Sequence, residues 1–109
     1  MNGCETAVDL IVTIVNRGRA ESVMKAVKKA GADGGTILLG MGTGIHEQLK
    51  ILGIPIHPEK EVVLTLVSKA KTERVLESIN SKLELERPGH GLAFVLDVEQ
   101  VMGVCHKLE

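Results

Sequence analysis

The sequence predicts an α+β fold, the ferredoxin-like βαββαβ sandwich, in which an antiparallel sheet carries two helices on one face. Four short segments are dense in β-branched and other apolar residues, which is typical of strands, and two segments between them repeat apolar residues at helical spacing. Each helical segment links two strand segments, so the order is that of two βαβ units. The length of 109 residues suits one domain, which we expect over residues 1–107, with Leu108-Glu109 as the remnant of an affinity tag.

The first βαβ unit is predicted from residues 7–39. Residues 7–15 (AVDLIVTIV) are rich in β-branched side chains and predict a strand that is buried on both faces or nearly so. Residues 19–30 repeat apolar positions every three or four residues, with lysines on the other face, and predict a helix that ends at Gly31. A glycine pair then leads into a second strand at residues 36–39.

The second unit repeats this order. Residues 61–67 (EVVLTLV) predict the third strand, and the apolar stripe of residues 72–83 predicts the second helix. A turn with two glycines precedes the fourth strand, residues 92–98 (LAFVLDV). Residues 99–104 are expected to add a short strand or a terminal turn.

Residues 40–59 are predicted to form a long loop between the second and third strands. Glycines and prolines punctuate this segment, and residues 45–52 could form a helical turn or two within it. A loop of about twenty residues is long for a compact domain, and such loops are commonly functional or mobile. We therefore expect residues 42–58 to be mobile without ligand.

Strands one, three and four are apolar at nearly every position, so the sheet face without helices should be buried as well. Self-association is the simplest cover for such a face. The charge balance of 13 Lys and Arg against 14 Asp and Glu argues against nucleic acid as the main partner. Without an apolar run of ~18 residues or a signal peptide, we expect a cytoplasmic protein with no membrane span. In that compartment Cys4 and Cys105 should be reduced thiols.

Two glycine turns could bind an anion through backbone N–H groups. Gly42-Thr43-Gly44 follows the second strand, and Gly89-His90-Gly91 precedes the fourth. The first turn could equally be an ordinary flexible turn, because a full dinucleotide fingerprint and a Walker A lysine are both missing. The second turn could be a tight entry into the fourth strand, which needs no ligand. Packing between subunits could bring the two turns together.

A metal site is the alternative from another functional class. His46, Glu47 and His57 could supply three ligands from one loop, as in a ferredoxin-like metal-handling protein or small enzyme. Their spacing is not that of a metal motif, so solvated loop histidines are the better interpretation. No nucleophile with a base and no paired carboxylates are legible from spacing, and we expect neither catalytic nor metal-binding residues.

The whole pattern, over residues 7–104, resembles the PII signal-transduction superfamily. The resemblance rests on the segments LIVTIV, GADGGTILLGMGTG, PEKEVVLTLV and PGHGLAFVLDVEQVMGV. It implies a compact trimer with the sheets facing inward and adenine nucleotides bound in clefts between subunits. It also implies that the loop after the second strand presses on a target protein, such as a transporter or an enzyme.

At several positions where typical members of this superfamily have basic residues, this chain has other residues. Ile45-His46-Glu47 follows the first glycine turn, Leu92 follows the second, and Gly103 and Cys105 stand where two arginines grip phosphate. Each lost charge-assisted contact is worth about 1.5–3 kcal/mol, so the binding of an adenine nucleotide should be weak.

These features together predict a non-enzymatic, trimeric, PII-like regulator of nitrogen signalling. A small effector in the intersubunit cleft would set the conformation of residues 40–59, which would engage a partner protein. The expected contacts are the two glycine turns and one hydroxyl: Gly42, Thr43, Gly44, Gly89, His90, Gly91 and Thr36.

Overall fold

The computed structural model describes residues 7–44 and 49–104, and only the backbone of residues 49–51. Six strands, two α-helices and one short 3-10 helix follow one another in this part of the chain. Their bounds are β1 Val8–Asn16, α1 Ala20–Lys29, β2 Thr36–Met41, β3 Leu49–Ile51, β4 Ile54–Ile56, β5 Glu59–Ser68, the 3-10 helix Lys69–Lys71, α2 Thr72–Leu83 and β6 Leu92–Val98.

Four strands form one antiparallel sheet in the order β2-β5-β1-β6. Both helices pack on the same face of this sheet, which confirms the predicted ferredoxin-like fold. The remaining two strands, β3 and β4, form a separate antiparallel hairpin inserted between β2 and β5.

The core lies between the sheet and the two helices. Odd-numbered residues of β1 and β5 face the helices and alternate with residues on the open face. Their apolar members pack against the apolar stripes of α1 and α2. The buried cluster consists of Ile11, Val15, Ala20, Val23, Ala26, Val27, Val63, Val67, Val75, Ile79 and Leu83.

The first turn of α1 is capped by a side chain from a distant strand. Arg19 occupies the N-cap position without making a side-chain cap. Instead Oε1 of Glu61 in β5 accepts hydrogen bonds from the backbone N–H groups of Gly18 and Ala20, both at 2.9 Å. A carboxylate at this end also suits the positive end of the helix dipole.

The sheet face opposite the helices is apolar and open to solvent in the single chain. Leu92, Phe94 and Leu96 of β6 pair with Ile14, Val12 and Leu10 of β1, so their side chains share this face. The three β6 side chains are 43–51% exposed. The apolar surface that the strands predicted for this face is therefore present, and its burial by self-association stays a prediction.

One local prediction was wrong, and of the two alternatives predicted for residues 99–104 the strand does not form. Within the expected helical turn at 45–52, Leu49–Ile51 is a strand, and Leu52 (φ 54°) with Gly53 (φ 80°) forms the two-residue turn into Ile54–Ile56. Positive φ at both central positions suits a hairpin, but leucine rarely adopts it and gives no sequence signal for it. Residues 99–104 form no strand and run as irregular backbone.

None of the helices in the described part of the chain is long and apolar enough to cross a membrane.

Candidate functional site

A groove of about 350 Å³, the glycine groove, lies at one end of the four-stranded sheet. The antiparallel pairing brings the ends of β1 and β2 and the beginnings of β5 and β6 to this end. Both predicted glycine turns line the groove within one chain. The lining residues are Ile14, Val15, Asn16, Gly42, Thr43, Gly44, Lys60, Gly89, Gly91 and Leu92.

Gly91 is required by the fold itself. Its φ is 120°, and a Cβ atom there would lie 2.6 Å from the carbonyl oxygen of Ile14 and 3.0 Å from Cγ1 of Val15. A side chain at this position would strain the backbone and push β1 away. The glycine thus permits close packing of the turn against β1, whether or not a ligand is present.

Two of the polar side chains of the groove, Lys60 and Asn16, form a short hydrogen-bond relay. Nζ of Lys60 donates to Oδ1 of Asn16 at 2.5 Å, and Nδ2 of Asn16 donates to the carbonyl oxygen of Gly89 at 3.3 Å. Asn16 therefore fixes the lysine relative to the second glycine turn. Lys60 is the only charged residue of the groove lining in the described part of the chain.

Sequence reasoning missed both members of this relay. Lys60 lies at an even position of β5, on the open face with Val62 and Leu64, and Asn16 is the last residue of β1. Alternation along β5 could have placed Lys60 on that face. Only the register, in which Asn16 pairs with Lys60, shows that the two side chains meet.

The groove is connected to the base of the β3–β4 hairpin. Oγ1 of Thr43 lies 2.5 Å from Nδ1 of His57, in hydrogen-bond contact. The backbone N–H of Gly42 also donates to the carbonyl oxygen of Pro58 at 3.1 Å. A ligand that contacts Thr43 would therefore act on one end of the hairpin directly.

His90 and Thr36 lie apart from the glycine groove. Nδ1 of His90 is 3.0 Å from the carbonyl oxygen of Leu83; since a carbonyl only accepts, the ring nitrogen carries the proton and donates. The His90 ring thus caps the last residue of α2. Thr36 lies at the opposite end of β2, in a second groove that includes Leu64 and Val104.

An ion-pair cluster lies at the opposite end of β1 from the glycine groove. Nζ of Lys69 lies 2.5 Å from Oδ1 of Asp9 and 2.5 Å from Oδ1 of Asp97, and Thr72 donates to Oδ2 of Asp9 at 2.7 Å. The hydrogen bonds from Lys69 and then Thr72 lower the pKa of Asp9. Hydrogen bonds to Asp9 and Asp97 raise the pKa of Lys69. Asp9 and Asp97 pair across β1 and β6, so Lys69 bridges two facing carboxylates.

Of the three predicted metal ligands, only His57 lies within the described residues. Among residues 7–44 and 49–104, no three histidine, cysteine, aspartate or glutamate side chains are grouped to hold a metal ion. His57 instead contacts Thr43. His46, Glu47, Cys4, Cys105 and the residues expected to be a tag remnant lie outside the described residues.

Comparison with known proteins agrees with this architecture. Residues 8–107 match the sequence model of a family described as nitrogen regulatory protein P-II. The fold resembles that of GlnK from B. subtilis, solved as an ATP complex, with a TM-score of 0.66 at 20% identity over 85% of this chain and 84% of that chain. No curated protein matches the chain in sequence.

Proposed function

Because the chain belongs to the nitrogen regulatory protein P-II family, we propose that it is a non-enzymatic, trimeric regulator that binds a small effector in the glycine groove. The effector changes the position of the β3–β4 hairpin, which contacts a partner protein. The observation that carries this proposal is the meeting of both glycine turns with Lys60 in one groove at the base of that hairpin.

The groove suits a small anion attached to an apolar or aromatic group. Ile14, Val15 and Leu92 supply apolar wall, while the glycines of the two turns let a ligand approach the backbone closely. Its volume of about 350 Å³ lies at the lower end of the range for small-molecule sites. With Lys60 as its cation, the groove favours an adenine nucleotide with few phosphates over a triphosphate.

The hairpin provides a surface for the partner protein. Leu52 at its tip is 96% exposed, and Ile54 beside it is 62% exposed. The contacts of Thr43 with His57 and of Gly42 with Pro58 connect this hairpin to the groove. A ligand transmits a signal only if it binds one hairpin position more tightly than another, and contact with Thr43 provides that difference.

The trimer buries the open sheet face of each subunit against its neighbours. Leu92, Phe94 and Leu96 give this face the apolar surface that a permanent interface needs. Thr36 is too far along β2 to reach the glycine groove of its own chain, so its hydroxyl can take part only in a cleft completed by a neighbouring subunit. We place this trimer in the cytoplasm.

Binding of AMP, ADP and ATP, measured by calorimetry, tests the proposal. We expect ADP to bind weakly and ATP to bind no more tightly. Lys60→Met, which keeps the aliphatic stem, should lower the affinity about tenfold or more, because it removes a charge-assisted contact. Lys28→Met is the matched control, since Lys28 is exposed on α1 outside the groove.

Unchanged ADP binding by Lys60→Met would place the nucleotide elsewhere. Tight ATP binding would show that other basic side chains grip the phosphates. If no adenine nucleotide binds, a thermal-shift screen with cyclic dinucleotides, bicarbonate and divalent metals identifies the effector class instead, because a ligand of the native form raises Tm.

A further inference from the structure

A third groove, the helix groove, lies between α1 and α2 on the face of the molecule away from the sheet. Its volume is about 500 Å³. Four cationic side chains line it against a single carboxylate: Lys25 and Lys29 from α1, Arg74 and Lys82 from α2, and Glu77. The chain as a whole has a formal charge of −1, so positive charge is concentrated here.

The four cations make no ion pair with a carboxylate of residues 7–44 or 49–104. Arg17, Lys69 and Arg87 each form an ion pair with a carboxylate. In contrast, none of the helix-groove cations has a carboxylate within ion-pair distance among the residues that the structure describes. Like charges four residues apart on one helix, such as Lys25 and Lys29, repel each other, so the groove gains stability when an anion lies in it.

The two helices that form the groove are joined to each other and packed on the core. Oγ of Ser78 in α2 donates to the carbonyl oxygen of Ala26 in α1 at 2.8 Å, which joins the two helices at its floor. Both helices are anchored in the core from their other side. Since the helices and the apolar sheet face lie on opposite sides of the molecule, an assembly through the sheet leaves the helix groove in solvent.

We propose that the helix groove is a docking surface for an acidic segment of a protein partner. Two carboxylates four residues apart on a helix have the same spacing as Lys25 and Lys29, about 5–6 Å between Cβ atoms, so a helical acidic segment can pair with both. Such contacts steer association and depend strongly on salt. This surface is separate from the glycine groove, so its role does not depend on the effector.

The surroundings of the groove favour a peptide over a membrane or a nucleic acid. The large apolar side chains exposed in the described part of the chain lie on strands and loops, and none lies on α1 or α2 to insert between lipids. The chain contains a single aromatic residue, Phe94, which lies on the opposite face, so bases have no stacking partner here.

Fluorescence anisotropy with a labelled helical peptide of about sixteen residues, carrying glutamates four residues apart, tests the docking surface. We expect binding at about 50 mM salt that weakens roughly tenfold at about 300 mM salt. Lys29→Glu should weaken it roughly tenfold or more at low salt, because it reverses a charge in the groove. Lys28→Glu is the matched control, with the same charge change one residue away, outside the groove lining.

An equal loss in both variants would overturn the proposal, since net charge and not the groove would then govern binding. Absence of peptide binding at low salt would overturn it too. An oligothymidylate of the same charge and vesicles containing phosphatidylserine are tested in parallel. If the oligothymidylate or the vesicles bind more tightly than the peptide, and Lys29→Glu abolishes that binding, the surface is a site for nucleic acid or for a membrane. That result would overturn the proposal of a peptide partner.

Discussion

The carboxylate of Asp9 connects the beginning of β1 to the beginning of α2. It accepts hydrogen bonds from Lys69 and Thr72, and its side chain is only 12% exposed. These bonds exist only in the folded chain, so they favour the charged form there and lower the pKa of Asp9. Stability is therefore linked to the protonation of this residue.

We predict that Asp9→Asn lowers Tm by roughly 5 °C at neutral pH. The folded pKa of Asp9 lies below its unfolded value of about 3.9, so the stabilisation is complete above that value and is lost as pH falls through the folded pKa. The difference in Tm between the two proteins should consequently shrink below about pH 4. Thermal unfolding followed by circular dichroism across pH measures this difference.

Asp97→Asn serves as the control for that experiment. The Asp97 side chain contacts the same lysine but is 66% exposed, so solvent screens its ion pair. Its loss should change Tm less than the loss of Asp9. An equal effect of the two substitutions, or a difference for Asp9→Asn that persists at low pH, would contradict the role given to Asp9.

The β3–β4 hairpin is the element whose stability depends most on a few contacts. Each of its strands has three residues, and an isolated two-stranded hairpin is marginally stable in water. The contact between Thr43 and His57 therefore adds order at its base.

We predict that His57→Ala speeds amide exchange in the hairpin several-fold, because the contact of His57 with Thr43 is lost. Amide exchange in β5 should stay unchanged, because the hydrogen bonds of the four-stranded sheet remain. Hydrogen exchange measured by mass spectrometry resolves the two regions. His90→Ala is the control, since it removes a bond to α2 and not to the hairpin. Equal hairpin exchange in wild type and His57→Ala would show that Thr43 does not order this element.

In the second glycine turn, Gly91 is required for packing against β1. Gly91 admits no side chain because the backbone of β1 lies too close. A bulky replacement there is expected to destabilise the fold and is unsuitable for testing ligand binding. Lys60 is the better position for that purpose, because its side chain extends into the groove without supporting the core.

For the whole molecule, the decisive property is the open sheet face. Phe94 lies midway along the edge strand β6, pairs with Val12 of β1 and is 43% exposed in the single chain. We predict that Phe94→Asp converts a trimer into a monomer, because a carboxylate would be buried in an apolar interface. Light scattering gives the mass directly and compares it with the chain mass of 11.7 kDa.

Leu39→Asp is the matched control for assembly. Leu39 is 73% exposed and pairs with Glu61, on the face of β2 that points to the helix side. The same chemical change there should leave the trimer intact. A wild-type protein that stays monomeric at micromolar concentration would contradict the assembly and with it the cleft that Thr36 completes.

Local periodicity accounts for the parts of this molecule that the sequence alone predicts. The helix predicted at residues 72–83 is α2 itself, and the four main strands were predicted to within a few residues of their observed ends. Strand and helix periods depend on neighbours along the chain, which is why they can be read without a structure. The apolar character of both sheet faces follows from the same patterns.

The composition of the glycine groove was decided by tertiary structure. Asn16 meets Lys60 only through the antiparallel register of β1 and β5, and His90 turns to α2 because the last carbonyl groups of that helix need donors. The hairpin was missed because Leu52 adopts a backbone conformation that its side chain disfavours. Register and close approach join residues far apart in the chain, and no local pattern encodes such contacts.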